Sequence, residues 1–337
     1  MNAKKILKKL VSYNTINDMN NEKIINYIEE YLKKIGFKTE YKSKCLVMSI
    51  NEDYPIGFLG HTDTVSYSND WLYNPFELNE SEGKLYGLGT SDMKGSIAAI
   101  LSSVSKINWN NTKKGIKLFF TYDEEIGFSG INELINIKTR FPNNMLIGEP
   151  TNNEIINSSK GLLEFKIKFN GVSSHSSTPE EGINAIESCI NFINKLKVYY
   201  NELRNETIES KNITMNIGII KGGRSINIVP DSCEVQIDFR TIKESQNKKI
   251  IKKINELIGD YGTYEIINNI NPFISKCKKI NMSDYITEAS FIDSENKYIL
   301  GVGPINAHKK DEFITIDSLK KLESQYIEII NDKINNK

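Results

Sequence analysis

The 337-residue sequence has few of the residues that mark specialised protein classes. Its four cysteines are too widely separated for a CxxC metal knuckle or a dense disulfide framework, which favours a reducing compartment. Lys plus Arg equals Asp plus Glu at 43 each, so no excess charge points to nucleic acid or an anionic membrane. No apolar run approaches the roughly 18 residues that span a bilayer. Residues 1–11 lack the apolar segment of a secretory signal. We therefore expect a cytoplasmic protein without nucleic-acid or membrane partners.

Histidine is also scarce, and all three copies lie in polar motifs. His61 occurs in Gly60-His61-Thr62-Asp63-Thr64, His175 among four serines, and His308 in Asn306-Ala307-His308. Carboxylates follow short apolar segments between the first and last histidine; they are Asp92, Glu124, Glu125 and Glu149. Histidines with carboxylates, and without clustered cysteines, form the ligand set of a hydrolytic metal site.

Two different patterns of secondary structure divide the chain. Short apolar segments alternate with helices before residue 160 and again after 272, which predicts an α/β domain with a mixed, largely parallel sheet flanked by helices. The predicted strands there are Cys45–Ile50, Ile56–Leu59, Ile116–Thr121 and Met145–Ile147, and the predicted helices are 22–36, Ser96–Ser105 and Ile316–Ile330. Since His308 lies in the last part, we expect one discontinuous catalytic domain, 1–160 and 273–337.

Residues 161–272 form the predicted inserted α+β domain, a four-stranded antiparallel sheet with two helices on one face. Leu163–Phe169 alternates apolar and polar residues as a half-exposed strand does. The helices are predicted near Ile183–Tyr199 and Glu244–Ile258. We expect Leu163–Phe169 to offer an edge strand, and a second copy to pair two-fold through that edge or through the neighbouring helix.

Three motifs place reactive side chains where strands end. His61 and Asp63 share a strand face, so Asp63 can accept a ring N–H and fix the tautomer of His61; a core histidine with a turn aspartate is the alternative. Glu124 and Glu125 could divide labour, one binding metal and one moving a proton, or belong to a solvated acidic loop. Glu149, before Pro150, is by itself a weak signal.

The segment from Gly87 to Gly95 superficially resembles a phosphate loop. Its spacing, Gly87-Leu88-Gly89-Thr90-Ser91-Asp92-Met93-Lys94-Gly95, matches neither GxGxxG nor GxxxxGK[ST]. Asp92 could cap the following helix. Alternatively, turns permitted by glycine could hold it as a carboxylate that bridges two cations.

Taken together, these motifs resemble the di-zinc amidohydrolase and metallopeptidase family that contains acetylornithine deacetylase, succinyl-diaminopimelate desuccinylase, aminoacylase and carboxypeptidase G. The resemblance covers nearly the whole chain and is closest to the acetylornithine deacetylase group. The motifs that carry it are Gly60-His61-Thr62-Asp63-Thr64-Val65, Lys84 to Gly95, Gly148-Glu149-Pro150-Thr151, Thr287-Glu288-Ala289, and Ile305-Asn306-Ala307-His308 with Asp311-Glu312. Leu88 stands where many relatives have arginine, and the chain is shorter than typical members.

The resemblance implies a complete set of site residues around two zinc ions, for which cobalt or manganese could substitute. Asp92 would bridge the ions, with a cis peptide bond to Met93. His61 and Glu149 would complete one site, and Glu125 and His308 the other. Glu124 would be the general base of a metal-activated water, with Asp63 as a further catalytic residue.

The resemblance also implies roles for residues outside the metal cluster. His175 would reach the active site of the partner subunit in a homodimer formed through residues 161–272, a lid and dimerisation domain. Asn227 and Arg240 would bind the substrate carboxylate, for which the arginine fork is suited. Glu288, in the Thr287-Glu288-Ala289 match, is the third expected substrate-binding residue.

The expected function is hydrolysis of the amide bond of an N-acyl amino acid, first of all N-acetylornithine to ornithine and acetate. A dipeptidase, a carboxypeptidase or succinyl-diaminopimelate desuccinylase of the same family are alternatives. A ligand-binding relative without activity is a different class of protein. Such a relative usually lacks a ligand or the base, whereas all six positions are filled here.

Overall fold

Residues 2–17, 20–276 and 279–335 are described by the computed structural model of the chain. They divide into two units. The first comprises Met1–Asn157, Ser275–Lys279 and Thr287–Lys337; the second comprises Ser158–Ile274 and Ile280–Ile286. Residues 280–286, expected in the catalytic domain, belong to the second unit because Met282–Ser283 pairs in parallel with Ser158–Ser159.

The helices of the described residues are α1 (Ala3–Val11), α2 (Asn21–Lys33), α3 (Gly95–Val104), α4 (Ser129–Asn136), α5 (Ala185–Leu203), α6 (Glu244–Ile258) and α7 (Ile316–Asn335). The strands are β1 (Lys38–Lys42), β2 (Leu46–Ile50), β3 (Asp53–His61), β4 (Asn79–Ser81), β5 (Lys84–Tyr86), β6 (Lys114–Thr121), β7 (Asn144–Ile147), β8 (Ser158–Ser159), β9 (Leu162–Asn170), β10 (Thr207–Ile208), β11 (Lys211–Asn212), β12 (Thr214–Gly222), β13 (Ser232–Arg240), β14 (Gly262–Ile270), β15 (Phe273–Ile274), β16 (Met282–Ser283), β17 (Asn296–Ile299) and β18 (Phe313–Thr315).

The main sheet of the first unit has the strand order β1-β2-β6-β3-β7-β17. The pairs β6–β3, β3–β7 and β7–β17 are parallel, and the two pairs towards β1 are antiparallel. Strand β6 is buried along almost its whole length, as a central strand of a covered sheet should be. This confirms the predicted mixed α/β architecture.

The parallel core of this sheet brings three strand ends to one edge. His61 of β3 lies opposite Thr121 of β6, and Leu59 of β3 lies opposite Ile147 of β7. The residues that follow these strands therefore leave the sheet at neighbouring positions, as the carboxyl ends of parallel strands do.

Helix α3 is the centre of the helical packing in the first unit. Every one of its residues is buried, because α1 and α7 pack against it. Ile97, Ile100 and Leu101 are fully buried, and the buried Tyr326 hydroxyl of α7 donates to the Leu300 carbonyl at 2.5 Å. A helix that is buried on all sides provides a rigid base for the turn that precedes it.

The second unit contains the antiparallel sheet β12-β13-β9-β14. Strands β9 and β13 alternate buried with partly exposed residues, and helices α5 and α6 pack on the apolar face. Phe165, Ile237 and Leu196 belong to the resulting core. The four strands and two helices confirm the predicted α+β unit.

The expected edge position of Leu163–Phe169 is wrong. Strand β9 lies inside the sheet, paired with β13 on one side and β14 on the other. The alternating pattern of Leu163–Phe169 indicates one covered face, but it carries no information about which strands lie alongside. Strand β14 was not predicted, because its residues are half-buried or exposed and its apolar pattern is weak. The edge strands of this sheet are β12 and β14.

Helices α1 and α4 and the three-stranded sheet β18-β5-β4 were not anticipated from the sequence. Cys45, Cys189 and Cys233 are buried, while Cys277 lies outside the described residues. In the part of the chain that the structure describes, no helix has the length and apolar character needed to cross a membrane.

Candidate metal centre

The residues of the candidate centre come from five segments of the first unit. His61 ends β3, Glu124 and Glu125 follow β6, and Glu149 follows β7. Asp92 lies in the turn Thr90–Lys94, directly before α3. His308 precedes β18 and has a positive φ of 61°. The structure thus brings together the five predicted metal ligands and the predicted base.

Asp92 lies between the two histidines of this unit. Its Oδ1 is 3.0 Å from His61 Nε2, and its Oδ2 is 3.5 Å from His308 Nε2. The Asp92–Met93 peptide bond is cis, as the resemblance implied. A carboxylate with each oxygen facing a different imidazole has the arrangement that a bridging ligand requires.

Each histidine is also held by a second carboxylate-bearing residue. His61 Nδ1 lies 3.2 Å from the Asp63 carbonyl oxygen and 3.4 Å from the Asp63 carboxylate. Asp63 in turn accepts the Glu125 backbone N–H at 3.2 Å. His308 Nε2 is 2.9 Å from Glu125 Oε2. The contacts with Asp63 orient His61 through Nδ1, so that Nε2 faces Asp92.

Two carboxylate oxygens of the cluster are buried without a donor. Glu149 Oε1 and Glu125 Oε1 have no hydrogen-bond partner among the described residues. Glu149 Oε1 lies 3.6 Å from His61 Nε2, too far for a hydrogen bond. Burying an unpaired carboxylate oxygen is costly. Divalent cations would satisfy these oxygens, and imidazole with carboxylate donors suits zinc and related metals.

The distances alone do not separate base from ligand. The ligand atoms of His61, Asp92 and Glu125 lie within 4.8 Å of one another, and so do those of His61, Glu124 and Glu149. Glu125 Oε2 contacts His308 Nε2 at 2.9 Å, and the choice of Glu124 over Glu125 as the base stays a prediction.

Burial and the neighbouring carboxylates raise the pKa values of Glu124, Glu125 and Glu149, whereas hydrogen bonds to His308 and His61 lower the pKa of Asp92. Burial, then Asp92, Glu125 and Glu288, raise the pKa of Glu124 well above its usual range, although His61 opposes the shift. Burial and the neighbouring carboxylates likewise raise the pKa of Glu149. Hydrogen bonds to Asp92 and Glu125 raise the pKa of His308 to about 10. The cluster therefore holds protons at neutral pH where a cation would displace them.

Glu288 is buried close to this cluster. Its Oε2 accepts the hydroxyl of Thr121, the last residue of β6, at 2.9 Å, and its Oε1 has no partner among the described residues. Burial raises its pKa to about 7, although His61 and Thr121 oppose the shift. Its side chain is only 1% exposed, and its charge is one of the causes that raise the pKa of Glu124.

The other three expected site residues belong to the second unit. His175 and Asn227 are exposed, and their segments are joined by the Ser176 N–H to Asn227 carbonyl bond at 3.1 Å. Ser225 donates to the Asn227 side chain at 2.5 Å. Arg240, the last residue of β13, makes a two-point ion pair with Asp238 at 3.1 and 3.0 Å.

Known proteins match both units. A family model described as a peptidase dimerisation domain matches residues 157–263. Acetylornithine deacetylase of Pasteurella multocida is 30% identical, with 92% of this chain and 91% of the relative covered. The enzyme of the same name from Photorhabdus laumondii is 33% identical at the same coverage.

Solved structures share the fold. Aminopeptidase PepT of Bacillus cereus has a TM-score of 0.83 at 18% identity, with 99% of this chain and 98% of that chain covered. A tripeptidase of Staphylococcus aureus has a TM-score of 0.82 at 21% identity and the same coverage. A Bacillus subtilis protein described as a dinuclear metal-binding peptidase of the M20 family has a TM-score of 0.75 at 12% identity, covering 99% and 98% of the chains.

The fold and the cluster of histidines and carboxylates define a metal-dependent hydrolase of amide bonds. The chain belongs to the family of amidohydrolases and metallopeptidases that contains acetylornithine deacetylase.

Metal binding is expected to release protons. His308 must be neutral to bind a cation, and its pKa of about 10 keeps it protonated near neutral pH. The raised pKa of Glu149 acts in the same direction. Protons lost on binding make the affinity for metal increase as the pH rises. Titration calorimetry of zinc into metal-free protein, in two buffers with different ionisation enthalpies, measures the release, and His308→Ala should reduce it. Equal binding heats in both buffers would contradict the expectation.

Proposed function

We propose that this enzyme hydrolyses the amide bond of N-acyl amino acids, with N-acetylornithine, giving ornithine and acetate, as the first candidate substrate. One observation carries the proposal: one carboxylate oxygen of Asp92 faces His61 and the other faces His308. The proposed base, Glu124, belongs to the same cluster. The similarity to acetylornithine deacetylases over 92% of the chain supports the choice of substrate.

The proposed cofactors are two divalent cations, zinc first, with cobalt or manganese as substitutes. Asp92 would be shared; His61 and Glu149 would complete one site, and Glu125 and His308 the other. The two unpaired carboxylate oxygens of Glu149 and Glu125 support this assignment. When bound, the cations supply Lewis acidity, which polarises the scissile carbonyl and makes water more acidic.

Glu124 is the proposed general base. It would take a proton from the attacking water and deliver it to the leaving amine, so that one carboxylate serves both halves of the reaction. Its raised pKa in the metal-free cluster supports a role in holding protons. Asp63 is proposed to assist catalysis by keeping His61 in the orientation that presents Nε2 to Asp92.

The second unit is proposed to act as a lid and dimerisation domain. The match to a peptidase dimerisation domain supports this role. The edge strand β12 has exposed Ile219 and Ile220, and the neighbouring helix α5 has exposed Ile190 and Val198. An exposed edge strand with apolar residues is a ready surface for two-fold pairing. His175, Asn227 and Arg240 would serve substrate from this unit, and Arg240 would exchange Asp238 for the substrate carboxylate.

A substrate panel tests the proposed function. Acetyl-, succinyl- and formyl-amino acids and dipeptides are assayed with metal-free protein and with zinc, cobalt or manganese added back. We expect the highest kcat/KM for N-acetylornithine and no turnover without metal. A preference for dipeptides would replace the deacylase assignment by a peptidase one, and a preference for the succinyl group would indicate the desuccinylase.

Glu124→Gln is expected to abolish most turnover while metal content stays native. Loss of a general base typically costs roughly 10²- to 10⁴-fold in rate, and Glu124 is not among the proposed ligands. The measurement combines kcat with metal analysis of the same sample. Asp123→Asn, on the same loop, is the matched control and should retain activity. Loss of metal in parallel with activity would assign Glu124 as a ligand instead.

Active sites completed by the partner subunit can be detected by mixing two inactive variants. His175→Ala and Glu124→Ala are combined under conditions of demonstrated subunit exchange. If His175 serves the partner's site, a mixed dimer contains one site with both residues intact, and activity should return to about half per mixed dimer. A mixture that exchanges subunits and stays inactive would place His175 in its own subunit's site or outside catalysis.

A further inference from the structure

Glu312 is a buried carboxylate to which the catalytic scheme gives no role. Its side chain is 2% exposed and accepts three backbone N–H groups. Gly89 N–H lies 2.8 Å from Oε2, while Ser91 N–H and Asp92 N–H lie 2.6 and 3.0 Å from Oε1. Both carboxylate oxygens are therefore fixed by one loop, and the third donor is the backbone of Asp92 itself.

This geometry explains why the segment from Gly87 to Gly95 resembles a phosphate loop. Successive backbone N–H groups that converge on one point form an anion-binding nest. Gly89 has a φ of +76°, and a Cβ atom there would lie 2.7 Å from Thr64 Cγ2, so glycine is required at this turn. The anion in the nest is not a phosphate but the protein's own Glu312.

The small sheet β18-β5-β4 sets the position of Glu312. Phe313 of β18 lies opposite Tyr86 of β5. This register places Glu312 beside Gly87, whose N–H donates to the Glu312 carbonyl at 3.0 Å. The side chain and the backbone of Glu312 thus hold the same loop.

The segment that carries Glu312 also carries His308. His308 contacts Glu125 at 2.9 Å and lies 3.5 Å from Asp92 Oδ2. Residues 308–312 therefore contact the Asp92 turn at two points. The His308 imidazole faces the Asp92 carboxylate, and the Glu312 carboxylate accepts backbone N–H groups of the loop 89–92. A movement of residues 308–312 would therefore displace both contacts with the Asp92 turn together.

We propose that Glu312 is a positioning residue: its carboxylate occupies the backbone nest of residues 89–92 and aligns Asp92 with His308 for binding of the second cation. The proposal rests on the proposed metal-dependent function. It assigns to Glu312 the alignment of two ligands and no contact with metal or substrate.

Glu312→Gln tests the proposal by metal binding. The glutamine side chain has the same shape as glutamate, but its NH₂ group is a donor and would face the backbone N–H groups of the loop, which are also donors. Zinc binding to metal-free protein should weaken by about 10- to 100-fold, the usual effect of removing an outer-shell partner. The absorption spectrum of the cobalt-loaded protein should change, because Asp92 and His308 no longer meet the ion together. Native affinity together with a native cobalt spectrum would overturn the proposal.

Glu29→Gln is the matched control. Glu29 is a buried carboxylate of α2 in the same unit, held by Thr39 at 2.7 Å and by an ion pair with Lys33 at 2.7 Å. Its loss should lower the thermal stability of the metal-free protein without changing metal affinity. A loss of metal affinity in Glu29→Gln as large as in Glu312→Gln would show that destabilisation alone explains the effect, and would overturn the proposal. If the native protein itself binds no metal, the proposed function fails instead.

Glu312→Ala provides a second arm that does not depend on the glutamine variant. It leaves a carboxylate-sized space facing three N–H groups. Formate at tens of millimolar should fill the nest and restore metal affinity several-fold, whereas formamide, with nearly the same shape and no charge, should not. Recovery with both compounds, or with neither, would contradict the proposal.

Discussion

Repulsion between buried carboxylates is the constraint on which the rest of the site depends. Asp92, Glu124, Glu125 and Glu149 lie together, and among the described residues the positive charges that oppose their repulsion are the imidazoles of His61 and His308. Burial removes the solvent that would screen this repulsion. Burial, and then the charges of the neighbouring carboxylates, raise the pKa values of Glu124 and Glu149. Such a cluster is stable only with protons or cations in it. Under the proposed assignment, exchange of one for the other links metal binding to pH, and Glu124 would be free to accept a proton from water.

The fold meets this constraint with rigid elements. Parallel strands β3, β6 and β7 bring His61 and the loops of Glu124 and Glu149 to one sheet edge. The fully buried helix α3 follows the Asp92 turn directly and fixes its end. The Glu312 carboxylate holds the same turn by accepting the Asp92 backbone N–H. The proposed ligands, which come from separate segments, are thus fixed by packing and hydrogen bonds, and this would reduce the ordering that cation binding requires.

Much of the fold and of the candidate site could be predicted from the sequence, because strand ends and polar motifs are local signals. The helix predicted at Glu244–Ile258 has those bounds in the structure. The position of Leu163–Phe169 within its sheet could not be predicted, since neighbours in a sheet depend on pairing between distant segments. The same holds for Glu312: only the register of Phe313 with Tyr86 places it beneath the Asp92 loop. Short elements such as β4 and β5 have too few residues for a pattern.

The central claim is that Asp92 serves two cations at once. Metal analysis of the Asp92→Asn protein after saturation with zinc and removal of free metal tests it most directly. Two equivalents per chain in the native protein and loss of both in the variant are predicted, because a neutral amide cannot bridge two ions as a carboxylate does. Retention of one full equivalent in Asp92→Asn, or a native content of one, would contradict the account.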